Sequence, residues 1–234
     1  MRTLVLIIAL VLGSTVVQAD QKSDIVGSTF KRPSAGALIL LLPPIAESTE
    51  LEAGIPMLLQ ALHTELSAAG FRTALLDKAN YETVWAQEVE AVGGIFDSKT
   101  GTLKANHQAA AMTALAKRLT RDTSASLAVI AKLVIRKAEL HGTKADWDGR
   151  LVQFPTKGSF GGTSYFSGTT TAVSVQLIAL THDGGLAFST YGGVTLPYVV
   201  NLVSEKPELR ANIFSDEADL PKGVKIALTP LLAK

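Results

Sequence analysis

Apolar and polar residues alternate along the chain in two different rhythms. "ALILLLPP", Ala37 to Pro44, is a continuous apolar run closed by two prolines. A run of this kind predicts a strand buried on both faces. Leu51, Ile55, Leu58, Leu59, Leu62 and Leu66 then recur at helical spacing and place one apolar stripe on a helix that ends at Gly70. "FRTALLD" is a second short strand. Strand, helix and strand in this order predict a right-handed crossover between parallel strands. "ANYETVWAQEVEAVGG" reads as a second helix stopped by its double glycine, and "HQAAAMTALAKRLTRD" as a third, with the loop "IFDSKTGTLKAN" between them.

The rhythm changes after Thr123. "ASLAVIAKLVIRKAEL" begins as a buried strand and passes into alternation, with Leu133, Ile135 and Ala138 expected on one face. "DWDGRLVQF", "TTAVSVQLIAL" and "LAFSTYGGV" continue the β pattern. Val173, Val175, Leu177 and Ala179 should point to one side of their strand, and Ser174, Gln176 and Ile178 to the other. His182-Asp183-Gly184-Gly185 makes the reversal, because glycine tolerates the positive φ that tight hairpins need. "DLPKGVKIALTPLL" predicts a closing helix, with Asp219 as N-cap, Pro221 in the first turn and Pro230 distorting or ending the last. The expected fold class is therefore α/β: a mixed sheet with an alternating strand-helix first half, an antiparallel β meander in the second half, and a C-terminal helix.

The first residues change this picture. "MRTLVLIIALVLGSTVVQAD" has a positive start, an apolar core too short to span a bilayer, and a small residue at Ala19. This is the layout of a cleaved secretory signal. The reading assigns residues 1–19 to a signal peptide, 20–36 to a flexible leader, and 37–234 to a single α/β domain in the periplasm. Lys plus Arg number 22 and Asp plus Glu 21. Arg2 leaves with the signal, so the mature chain is neutral. Nothing in that balance attracts nucleic acid or an anionic membrane. The chain has no cysteine, which removes thiol catalysis, cysteine metal sites and the lipid-modified cysteine of bacterial lipoproteins. No second apolar run is long enough for a transmembrane helix.

Several short matches to catalytic motifs lack the context their chemistry needs. "STFK", Ser28 to Lys31, has the spacing of a penicillin-binding nucleophile, and "KTG", Lys99 to Gly101, that of its partner motif. Ser28, however, lies in the polar leader, and "KTG" falls in a loop between helices instead of on a strand. "DSKTGT" is close to the phosphorylation motif of ion pumps, but Ser98 interrupts it. His63, His107, His141 and His182 show no metal-site spacing. "DWDG", Asp146 to Gly149, is read as a β-turn beside a tryptophan. No cofactor, metal or catalytic residue is assigned. "PTKGSFGGTSYFSGTTT" is rich in Gly, Ser and Thr, with Phe160, Tyr165 and Phe166 interleaved. These three are the candidate partner-binding residues; the alternative is a lid whose rings fold back on the sheet.

The order of elements resembles the bacterial envelope superfamily that includes CsgG, the TolB N-terminal domain and LpoB-type activators. "ALILLLPP" resembles its first strand. "GIPMLLQALHTELSAAGFRTALLDKANYETVWAQEV" resembles its helix, second strand and next helix. "GGIFDSKTG" resembles the loop before the third helix, and "VQLIALTHDGGLAFST" the hairpin. The resemblance implies a non-enzymatic periplasmic binding or assembly protein whose partner is another envelope protein or a second copy of itself. The alternatives are a hydrolase with a scattered active site and a secretion-channel subunit. The native mature protein is expected to begin near Asp20 and to occur in the periplasmic fraction; N-terminal sequencing that returns Met1 would contradict this.

Overall fold

The structure, a computed structural model, describes residues 24–158, 165–204 and 206–232. The signal segment and Phe160 lie outside the described residues. In chain order the strands and helices are β1 (Ile25–Val26), β2 (Leu38–Leu41), β3 (Ile45–Ala46), α1 (Ile55–Ala68), β4 (Arg72–Leu75), α2 (Lys78–Ala91) and α3 (Ala105–Thr123). There follow β5 (Leu127–Gly142), β6 (Lys144–Trp147), β7 (Arg150–Gln153), β8 (Thr156–Lys157), β9 (Phe166–Thr181), β10 (Leu186–Thr195), β11 (Tyr198–Asn201), β12 (Lys206–Leu209), α4 (Asp219–Ala227) and α5 (Thr229–Leu232). The expected α/β class with a mixed sheet and a C-terminal helix is what the chain forms.

The main sheet runs β1-β10-β9-β5-β2-β4. Strands β4, β2 and β5 are parallel, whereas β9 and β10 are antiparallel to their neighbours. Alternate residues of the central strands feed two cores, as the strand period of two requires. Leu127, Val129, Ala131 and Leu133 of β5, with Val173, Val175, Leu177 and Ala179 of β9, pack under α1 and α4. Leu40, Ala128 and Ile130 pack on the other face against Trp85 of α2 and Leu115 and Leu119 of α3. The result is three layers, with helices on both sides of the sheet.

Local chemistry sets the ends of α1 and α2. Gly70 takes φ +84° after α1, and the Phe71 amide donates to Leu66 O at 3.0 Å. This six-to-one bond caps the exposed carbonyls. Gly93 and Gly94 end α2 in the same way, with Gly94 N–H donating to Val89 O. At the start of α2 the Asp77 carboxylate accepts from the Ala79 and Asn80 amides, a side-chain N-cap. The loop carrying "KTG" is likewise organised by a carboxylate: Asp97 accepts from the amides of Lys99 and Thr100 and from the Thr100 hydroxyl.

Four details differ from expectation. The described part of the leader, 24–36, lies on the domain: β1 pairs with β10, the Phe30 ring meets Phe188 edge-on at 5.6 Å, and the Arg32 guanidinium stacks on Phe71. Apolar burial of Phe30 offsets the entropy that a polar composition suggested would keep this segment free. Asp219 sits in the first turn of α4 without capping it, since its carboxylate accepts from Arg150 Nη2 at 2.6 Å. The predicted single closing helix breaks at Leu228 into α4 and α5, with Pro230 inside α5. Finally, Leu133, Ile135 and Ala138 do not share an environment. Leu133 is buried beneath the helices, Ile135 emerges past their end, and Ala138 is buried on the opposite face, under a hairpin the sequence pattern did not place there.

That hairpin belongs to a third core. Strands β5 and β9 pair along their whole length, from Leu127↔Thr181 to Gly142↔Phe166, and their far ends outrun the helices. There β6 and β7 fold over them, burying Ala138, Leu140, Trp147, Phe154 and Ala172. The β6–β7 reversal is Asp148-Gly149 with φ +40° and +76°, the two-residue turn that matches sheet twist. The small sheet β12-β11-β8 flanks this lobe.

Both coverings need bare backbone on β10. Gly192 faces α4: a Cβ there would stand 1.9 Å from Gly223 O. Gly193 faces the hairpin: a Cβ there would stand 2.6 Å from the Arg150 side chain and 2.8 Å from Trp147 Nε1. Gly192→Ala is therefore expected to cost about 3 kcal/mol, the upper end for overpacking, because the obstacle is backbone. Gly93→Ala, where the added Cβ meets open space, should cost about 1 kcal/mol through its left-handed φ alone. Chemical denaturation that ranks the two the other way would contradict this.

Candidate functional site

The helical layer and the β6–β7 hairpin cover the same face of the sheet but do not meet. Between them a strip of sheet stays open. Directly opposed residues on neighbouring strands share a face with Cβ atoms about 5 Å apart, so the register defines what lines the strip. The first row, Ile130–Ile178, packs toward α2 and α3. The next is Lys132–Gln176–Tyr191, one residue each from β5, β9 and β10. Beyond it come Val134–Ser174–Gly193 and then Arg136, under the hairpin turn. Ile45 and Glu47, at and just after β3, form a side wall. The groove so enclosed holds about 220 Å³, smaller than the roughly 300 Å³ at which pockets begin to take drug-sized molecules.

The hairpin end of the groove is fixed by Asp148. Its carboxylate accepts from Arg136 Nε and Nη2, both at 3.0 Å, and from the Ser174 hydroxyl at 2.7 Å. Its backbone oxygen accepts from Gly193 N–H at 2.9 Å. The Arg136–Asp148 pair is bidentate, with side chains 16% and 8% exposed. Planar two-bond geometry of this kind is the strongest ordinary ion-pair arrangement. Burial works against the Arg136 charge, but the hydrogen bonds and charge of Asp148 outweigh it and raise the guanidinium pKa above its ordinary value. The same guanidinium lies 4.2 Å from the centre of the Tyr191 ring, within cation–π range.

The floor of the groove is held less completely. Gln176 Nε2 donates to the Tyr191 hydroxyl at 2.9 Å, and the Tyr191 amide donates to the Asp24 carboxylate at 2.8 Å. Burial raises the phenol pKa, partly offset by Arg136. Glu47 is committed to the backbone, accepting from Ile135 N–H at 2.6 Å. Lys132 is half-buried, and its ammonium has no hydrogen-bond partner among the described residues. Burial lowers its pKa, and the charge of Glu47 pushes back only in part.

The residues singled out from sequence lie elsewhere. Tyr165, just before β9, is 80% exposed. Phe166 is half-buried and meets Phe154 edge-on at 4.9 Å, joining the third core. Sequence reasoning missed the groove altogether. One signal was available: Lys132 is a lone charge inside the apolar run "LAVIAKLVI", and such a charge should be either paired or used.

The fold and groove define a three-layer mixed-sheet domain with a small cleft, floored by one polar row, on one sheet face. No family model matches the chain, and no curated protein matches it. Among solved structures it is similar to the PelC dodecamer from Paraburkholderia phytofirmans, at 11% identity and a TM-score of 0.42, over 90% of this chain and 96% of that one. A single-substitution variant of the same dodecamer matches at 9% identity and a TM-score of 0.42, over 88% and 96%. Likeness at this level assigns no family. Among the described residues, no helix is long and apolar enough to cross a membrane.

Two substitutions should part in sign. Asp148→Asn keeps a turn-forming residue but strips Arg136 of its counter-charge. It should cost about 2 kcal/mol, discounted from the value for a fully buried pair. Lys132→Met removes a desolvated charge and should raise the melting temperature. Calorimetry showing Lys132→Met less stable than the wild type would mean that the ammonium holds the fold.

Proposed function

We propose that this chain is an exported, non-enzymatic binding or assembly protein of the bacterial cell envelope. Its sequence resemblance to the superfamily of CsgG, the TolB N-terminal domain and LpoB-type activators supports the reading, as does the signal-like N-terminus. The observation that carries it is the division of labour among the aromatics of the Gly/Ser/Thr-rich segment. Phe166 anchors the start of β9 on Phe154, and its neighbour Tyr165 is held out in solvent on that anchor. A ring held exposed next to a paired strand costs less entropy to bind than one in a free loop, which is how aromatic anchors act at protein interfaces.

The partner is another envelope protein, met through Tyr165 with Phe160 from the same segment. Leu151 of β7 and Val203 and Leu209 around the small sheet add exposed apolar side chains to the lobe. A neutral mature chain fits contacts made through apolar area more than through long-range charge.

Separate changes distinguish anchor from support. Tyr165→Ser should weaken partner binding about tenfold or more, as for an interface hot spot, and leave the melting temperature in place. Phe166→Ser should cost about 2 kcal/mol, part of the value for a fully buried phenylalanine. A photo-crosslinking residue at 165 should capture one envelope protein in cells, and the same residue at exposed position 52 should not. Equal capture at both positions would refute the assignment of this surface.

A further inference from the structure

The register places three polar side chains in one line across the sheet, Lys132 on β5, Gln176 on β9 and Tyr191 on β10, on the floor of an otherwise well-satisfied groove. Its other charges are already spoken for. Arg136 is bonded twice to Asp148, Asp148 also takes the Ser174 hydroxyl, Glu47 holds the Ile135 amide, and Asp24 holds the Tyr191 amide. Two donors remain. The Lys132 ammonium has no acceptor among the described residues, and the Tyr191 hydroxyl, which accepts from Gln176, still has its own proton to give.

We propose that this groove binds a ligand through a single carboxylate group, with Lys132 and Tyr191 as its donors and Gln176 orienting the phenol. Burial desolvates the Lys132 ammonium and the charge of Glu47 offsets this only in part, so an incoming anion that bonds to it lowers the remaining cost. The volume, about 220 Å³, admits a small carboxylate or the last residue or two of a peptide. Glu47 on the side wall and Asp148 at the hairpin end favour one negative charge over two. The site is separate from the Tyr165 surface and does not depend on it.

Proton linkage gives the binding a signature. Lys132 titrates below the ordinary lysine range in the free protein, mainly from burial. A bound carboxylate favours the charged amine and raises that pKa. Affinity is therefore full while the free protein's Lys132 is protonated, and falls as pH rises through its depressed pKa. The groups facing Lys132 are Glu47, Asp148, Arg136 and Tyr191; Arg136 stays charged, and burial holds the Tyr191 phenol above its ordinary value, so neither supplies this trend.

The probe is N-acetylglycylglycine, titrated into the isotope-labelled full mature chain and followed by amide chemical shifts. Its C-terminal amide and sodium acetate serve as comparisons. Saturable shifts at Lys132, Gln176 and Tyr191 are expected with the free acid and not with the amide. Affinity should fall between neutral pH and pH about 10. Lys132→Met should weaken binding about tenfold or more, the worth of one charge-assisted hydrogen bond, and Tyr191→Phe roughly two- to tenfold. An unchanged shift pattern elsewhere certifies the fold of each variant. Acetate binding as tightly as the dipeptide would identify a small free carboxylate as the occupant; a tighter dipeptide would identify a chain terminus. Equal binding of the amide, or binding unaffected by Lys132→Met, would overturn the proposal, as would the absence of saturable shifts at the groove.

Discussion

Two adjacent residues without side chains set the thickness of this molecule. Gly192 and Gly193 lie on opposite faces of β10, and each lets a different layer descend onto the sheet. On one side the α4 backbone approaches through Gly223; on the other, Trp147 and Arg150 of the β6–β7 hairpin close over the strand. A methyl group at either place would lift a whole layer, and interiors packed at crystal-like density have no slack to absorb it. The same stretch of β10 would otherwise be an open sheet edge, since β1 pairs only with Phe188 and Ser189. Its remaining amides are taken up one by one, Tyr191 N–H by Asp24 and Gly193 N–H by the Asp148 carbonyl. Irregular cover of this kind protects an edge from pairing with foreign strands.

The groove is a consequence of that arrangement. Because the hairpin is pinned at Gly193 and Asp148, it stops short of the helical layer, and one polar row of the sheet is left uncovered. Arg150 extends the pinning to α4 through Asp219. Among the described residues its Nε is buried without a hydrogen-bond partner, a cost accepted to join two layers around the strand edge. The groove floor carries the second cost, the partly desolvated Lys132 ammonium. Sites that lower stability without serving the fold are where function is usually found.

Much of the frame was legible in the chain. Helix ends at Gly70 and Gly93-Gly94, the Asp-Gly reversal at 148–149, and the inward set Val173, Val175, Leu177 and Ala179 all follow from local rules and appear where those rules put them. What escaped was non-local. The leader looks free because its composition is polar, yet a single ring, Phe30, fastens it to Phe188. Asp219 has every local mark of an N-cap and is drawn instead to Arg150 on a distant strand. Ala138 follows the alternation of β5 but is buried by a hairpin that periodicity cannot locate. The groove assembles residues from five separated segments, and only Lys132, a charge in an apolar run, announced itself.

The central claim is that the row Lys132–Gln176–Tyr191 is a binding site kept open at the expense of stability. The titration of the Lys132 ammonium, followed through its ε-carbon chemical shift in the labelled protein, tests this most directly. The account predicts a midpoint below that of the other lysines in the free protein, moving upward when N-acetylglycylglycine is added and unmoved by its amide. A Lys132 that titrates with the surface lysines and ignores the added carboxylate would contradict it.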